Sequence, residues 1–126
     1  MIDKNIGAVM LEEGLCLFRG MTFEDFRQTN YFSNQDSKRV FYLRNLKIFN
    51  ETFIISLFFK EEILHSVSLI IDDSSIVPEQ EVQRKIRHDT ILTMFNIEID
   101  SIYEWGQIES NYNSRSNISS IDITYF

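Results

Sequence analysis

Apolar and polar positions alternate most regularly between Thr52 and Ile71, and the two-residue period of a pleated strand accounts for the pattern. Phe53, Ile55, Leu57 and Phe59 fall on one face of a first strand; Ile63, His65, Val67, Leu69 and Ile71 fall on one face of a second. Lys60-Glu61-Glu62 interrupts the run as a charged turn. The opposite faces, Thr52, Ile54, Ser56, Phe58 and Leu64, Ser66, Ser68, Ile70, are only half apolar. That combination predicts a central antiparallel hairpin, with His65 as a core histidine hydrogen-bonded to a neighbour.

The same reading extends along the chain. Residues 1–20 hold two short apolar runs, Ile6 to Leu11 and Leu15 to Phe18, either of which predicts a first strand. Met21 to Asn30 predicts a short helix: Thr22 is a good N-cap, Glu24 and Asp25 suit the first turn, and Met21 and Phe26 have the spacing of a hydrophobic staple. Residues 33–37 are a polar loop. Between Arg39 and Phe49 the apolar phase slips, from Phe41 and Leu43 to Leu46 and Ile48, which predicts a strand with a bulge at Arg44-Asn45.

Pro78 starts a second predicted helix, running to Asn96, with a buried arc of Val82, Ile86, Leu92 and Phe95 and with His88 and Ile91 stacked beside it. Arg84, Lys85 and Arg87 are expected on its solvated face. Tyr103 and Trp105 share a face of the next strand, which continues past a bulge at Gly106 to Tyr112. Ile121, Ile123 and Tyr125 mark the last strand. The sum is a single α+β domain over residues 1–126: a twisted antiparallel sheet of five to six strands with two helices on one side, in the order (β)-α-β-β-β-α-β-β.

Composition narrows the function. A chain of 126 residues that is 44% hydrophobic and 13% aromatic is not disordered. Its net charge of −7 argues against nucleic acid or an anionic membrane as the partner, since phosphates require a basic footprint. An acidic surface suits a basic protein instead. The single cysteine, Cys16, forms no internal disulfide and is expected to be a buried structural thiol. The N-terminal residues show no basic, then long apolar, leader, so a cytoplasmic location is expected and the two Asn-X-Ser/Thr sequences are coincidental.

Candidate chemistry is sparse. His88 and Asp89 are adjacent on a helix and diverge by about 100°; the two histidines have no metal-ligand spacing. There is no nucleophile elbow and no phosphate-cradling glycine loop. Acid pairs at Glu12-Glu13, Glu61-Glu62 and Asp72-Asp73 each sit in a predicted turn. An enzyme is therefore not expected, nor any cofactor or metal. Trp105, Tyr103 and Tyr112 are of the residue types that anchor interfaces. Asp72, Asp73, Glu79 and Glu81 are expected to gather where the third meander strand meets the long helix, as an acidic patch for a basic partner.

The stretch Trp105-Gly106-Gln107-Ile108-Glu109-Ser110-Asn111-Tyr112, with Ser119 to Tyr125 and the helix EVQRKIRHDTILTMF before it, resembles small bacterial immunity proteins that neutralise polymorphic or contact-dependent growth-inhibition toxins. The resemblance covers roughly the last third of the chain, together with overall size, acidity and α+β order. It implies a monomer or weak dimer that binds one cognate toxin domain and blocks its active site or substrate surface. It carries over no binding residue, because such contacts differ from pair to pair. Size, acidity and element order are also similar to type III secretion chaperones, which imply an obligate dimer, an unfolded client and a final helix that this pattern lacks.

Overall fold

The computed structural model describes residues 1–33 and 39–126. Three short strands, β1 (Ile2–Asp3), β2 (Ala8–Met10) and β3 (Cys16–Leu17), form a small antiparallel sheet of their own. The first twenty residues therefore supply three strands where one was expected. Leu15 and Leu17 turn inward while Cys16 between them is exposed. Strand alternation places the thiol outside, against the expectation of a buried one.

Helix α1 (Phe23–Arg27) is one and a half turns, shorter than predicted, and its start is chemically specified. The Thr22 hydroxyl accepts the Asp25 N–H at 3.0 Å, and the Asp25 carboxylate accepts the Thr22 N–H at 3.0 Å. Two otherwise unpaired donors are thereby satisfied. Phe23 and Phe26 pack inward against Phe41 and Phe59, with ring centroids 5.0–6.1 Å apart. Of the predicted polar loop, residues 34–37 lie outside the described residues.

The main sheet has six strands, β4 (Val40–Ile48), β5 (Glu51–Lys60), β6 (Ile63–Ile71), β7 (Ser101–Tyr103), β8 (Gly106–Asn113) and β9 (Ile118–Tyr125). They lie in the order β4-β5-β6-β9-β8-β7, and every pairing is antiparallel. The fold is α+β, as the pattern of the chain predicts. The bulge predicted at Arg44-Asn45 is present: the β4–β5 register shifts between Leu43 and Leu46, and Asn45 has φ 61°.

The hairpin β5–β6 forms, but with a bulge the alternation does not reveal. Phe58 pairs with Ser66 and Phe59 with Leu64, so His65 has no opposite number. The extra residue flips the phase of the first three positions of β6. Leu64 is buried, whereas Ile63 and His65 are exposed. His65 is therefore not a core residue.

Gly106 also behaves differently from expectation. The chain reverses at Glu104-Trp105, and Tyr103 pairs with Gly106, so a hairpin of β7 and β8 replaces one long bulged strand. A Cβ at residue 106 would lie 1.9 Å from the Thr124 carbonyl oxygen. Only glycine lets β8 and β9 approach this closely.

Between β6 and β7, a 3-10 turn over Pro78–Gln80 leads into α2 (Glu81–Met94). Both helices and the small sheet pack on the same face of the main sheet, around one apolar cluster that includes Val9, Leu17, Phe26, Phe53, Leu69, Leu92 and Ile121. Among the described residues no element covers the opposite face. There Tyr42 is exposed and Ile54, Phe58, Ser68, Ile70 and Asp122 are half-buried.

Candidate interaction surface

Helix α2 is amphipathic in an unusual sense. Glu81, His88, Ile91 and Leu92 are its buried side. Val82 and Ile86, expected in the core, are 56% and 58% exposed, and Met94 is 72% exposed. At 100° per residue, Val82, Gln83, Ile86, Thr90, Thr93 and Met94 share an outward arc of about 120°. All six are exposed, and none is charged.

The charges have gone to the flanks and the inside. Arg84, 14% exposed at its side chain, pairs with Glu81 at 3.1 Å and donates to the Ile71 carbonyl. Arg87 pairs with Glu51 at 3.1 Å and with Asp73. Lys85 pairs with Asp89 at 2.9 Å, one turn along. The basic cluster is therefore not a free solvated face: Arg84 and Arg87 tie α2 to β5 and to the end of β6, while Lys85 pairs along the helix itself. Glu51, Asp73 and the Ile71 carbonyl supply partners next to the sheet, which is why cations rather than apolar side chains turn that way.

His88 sits at the centre of the buried side, fully enclosed, with its ring 6.4 Å from that of Phe53. Its Nε2 accepts the Ile71 N–H at 3.0 Å, so the neutral ring carries its proton on Nδ1. Nδ1 is buried without a partner. Burial first, and then the Arg84 charge, push the His88 pKa down to about 4, although Glu81, Asp89 and Asp122 pull the other way. A neutral, enclosed imidazole that secures the last pair of β6 is structural.

The four predicted acidic residues divide. Asp72 and Glu79 are exposed, with carboxylates that make no hydrogen bond or ion pair among the described residues. Asp73 is half-buried, and its carboxylate accepts the Ser75 N–H and hydroxyl at 3.0 and 2.6 Å and meets Arg87. The two Ser75 hydrogen bonds and the Arg87 charge hold its carboxyl below the usual range. Glu81 is only 8% exposed and accepts the Ser119 N–H at 3.0 Å besides pairing with Arg84. It is an internal tie between α2 and β9. Glu98, beyond the far end of α2, is a further exposed carboxylate with no partner among the described residues.

Of the aromatic residues, Trp105 is 4% exposed, stacks on Tyr103 with centroids 5.1 Å apart and donates to the Lys4 carbonyl at 2.8 Å. It anchors the first residues of the chain rather than a partner. Tyr112 is 41% exposed at the start of the β8–β9 turn. His65 stands in a shallow cleft of about 370 Å³ beside Arg19 and Lys60 and makes no hydrogen bond among the described residues.

The open sheet face brings Glu109 opposite Asp122, a juxtaposition the sequence pattern does not disclose. Gln107 donates to Glu109 at 2.9 Å, and Asn111 and Ser120 donate to Asp122 at 2.6 and 3.0 Å. Each carboxylate is thus solvated by neighbours in its own row. Among the described residues no group of three or more His, Cys, Asp or Glu is placed to hold a metal ion, and no helix is long and apolar enough to cross a membrane. No family model, curated protein or solved structure matches this chain.

Proposed function

We propose that this protein is an inhibitor of the immunity type, which binds one cognate toxin domain and blocks its active site or substrate surface. The observation that carries the reading is α2: its cations are all paired, and its outward arc is uncharged and exposes Val82, Ile86 and Met94. An exposed surface free of charge and carrying large apolar side chains is typical of the core of a protein interface. The net charge of −7 would speed encounter with a basic partner and repel acidic ones. A secretion chaperone would use an exposed apolar surface too, but on an unfolded client rather than a folded domain.

The test is co-expression with the product of the immediately upstream gene, followed by capture on a tag and a growth assay. The inhibitor reading expects a one-to-one complex and relief of that product's toxicity. A captured product that is unfolded and harmless would favour the chaperone, and the absence of any complex would remove the inhibitor reading for this pair.

A further inference from the structure

We infer that the free edge of β4, from Val40 to Arg44, adds an extended, acidic strand of a partner protein to the main sheet. The inference rests on the reading above only for the existence of a partner; the form of the occupant comes from main-chain groups of β4 that lack one. The Phe59 N–H donates to the Arg39 carbonyl at 2.6 Å, and β4 and β5 run in unbroken register from Val40 to Leu43. Antiparallel pairing alternates, so Phe41 and Leu43 exchange hydrogen bonds with β5 while the N–H and C=O groups of Val40 and Tyr42 point away from it. Neither residue's main chain has another partner among the described residues.

The far end of the same edge is already closed by main-chain pairing. Past the bulge at Arg44-Asn45, Lys47 takes the outward phase: its carbonyl accepts the Glu12 N–H at 2.9 Å, and its N–H meets the Glu13 carboxylate at 3.1 Å. The turn between β2 and β3 thus covers β4 at Lys47 and leaves Val40 to Arg44 open. The opposite edge of the sheet, β7, has only three residues. A row of unpaired main-chain donors and acceptors is a template for a strand; a helix has none to offer, because its own are paired internally. Tyr42, 62% exposed, stands beside this row on the open sheet face, where the residue that crosses it packs on its ring.

Geometry and charge then choose the strand. Two copies of β4 paired antiparallel about Tyr42 would carry the chain ahead of Val40 in each towards Lys47 of the other, where Glu12 and Glu13 already stand. The occupant is therefore a short strand of another protein that ends before Lys47. The carboxylates at the closed end are spent on main-chain N–H groups, Glu12 on Asn50 and Glu13 on Lys47. Arg44, at the open end of the bulge, is exposed and makes no ion pair among the described residues. An acidic side chain on the residue that crosses Arg44 completes it.

The test titrates the full chain, with labelled backbone amides, against a short peptide of alternating Thr and Val with Glu at its centre. Saturable binding is expected to slow hydrogen exchange at Val40 and Tyr42 by at least about tenfold, while Phe41 and Leu43 are slow from the start. N-methylation of the peptide amides that face β4 should abolish binding. A central Lys in place of Glu should weaken it severalfold, and Arg44→Gln should remove that preference. Undiminished binding of the N-methylated peptide, protection at Ile102 or Tyr112 on the other side of the sheet instead, or no saturable binding would overturn the inference. So would a dimer in sedimentation that Tyr42→Pro converts to monomer. Tyr42→Pro removes only the outward N–H and spares the β4–β5 ladder; Arg44→Glu tests the same edge without touching the main chain. If either variant, folded by circular dichroism, still captures and neutralises the toxin as the wild type does, this edge is refuted and the inhibitor reading stands. If the Glu peptide adds to β4 while no toxin is neutralised, the reverse holds.

Discussion

His88 shows how one side chain sets the conditions under which the molecule holds together. In the unfolded chain its pKa is near 6.5, and in the folded protein it is about 4. The unfolded state therefore binds the extra proton throughout that window, and stability must fall as pH drops from 6.5 towards 4. The full shift corresponds to at most about 3 kcal/mol. Urea midpoints measured between pH 7 and 4 should show the loss, and His88→Gln, which can still accept the Ile71 N–H but does not titrate, should lose that part of the slope. An unchanged slope in the variant would mean that other groups carry the acid sensitivity.

Gly106 acts by having no side chain. The Cβ of Gly106→Ala would meet the Thr124 carbonyl oxygen at 1.9 Å, and backbone rather than a movable side chain would have to yield. A cost of about 2 kcal/mol or more is expected, seen as a fall in melting temperature of roughly 6 °C or more. A variant melting with the wild type would show that β8 and β9 can separate at low cost.

Among the elements, the strands were the more legible. Phase slips are visible where the apolar run itself shifts, as from Leu43 to Leu46, and there the sequence predicts the bulge that the structure has. The bulge at His65 is hidden, because Ile63 and Leu64 are both apolar and either phase fills the inward row. The buried side of α2 differs from the predicted one for a related reason. Val82, Ile86 and Leu92 satisfy a helical period, but so does the set Glu81, Arg84, His88, Ile91 and Leu92, and hydrophobicity alone favours the first.

What decides is the set of polar partners waiting on the sheet, Glu51, Asp73 and the Ile71 carbonyl, all distant in sequence. A stability contrast checks the observed orientation. Ile91→Ala should cost about 2–4 kcal/mol as a buried truncation, whereas Ile86→Ala should stay within about 0.5 kcal/mol. Similar losses in the two, measured by chemical denaturation, would mean that Ile86 is covered after all.

At the scale of the molecule, fold class, helix count and the single-sided packing followed from periodicity and turn chemistry. The exposed side of α2 did not, and of the four acidic residues expected in a patch only Asp72 and Glu79 are exposed. Surface character is what remains once the core has chosen its members, so an error of one helical face moves the whole prediction. The division of the first twenty residues into three strands leaves no mark in the pattern, because strands of two or three residues are too short to show a period.

Those first residues depend on the last ones. Gly7 gives its carbonyl to the Tyr125 hydroxyl at 2.7 Å, Lys4 gives its own to Trp105, and the Trp105 ring occupies the space where any side chain at residue 7 would lie. During synthesis the small sheet leaves the ribosome about a hundred residues before the Trp105 and Tyr125 side chains that hold it. Contacts spanning more than a hundred positions close slowly. The small sheet must therefore wait, undocked, until Trp105 and Tyr125 have emerged.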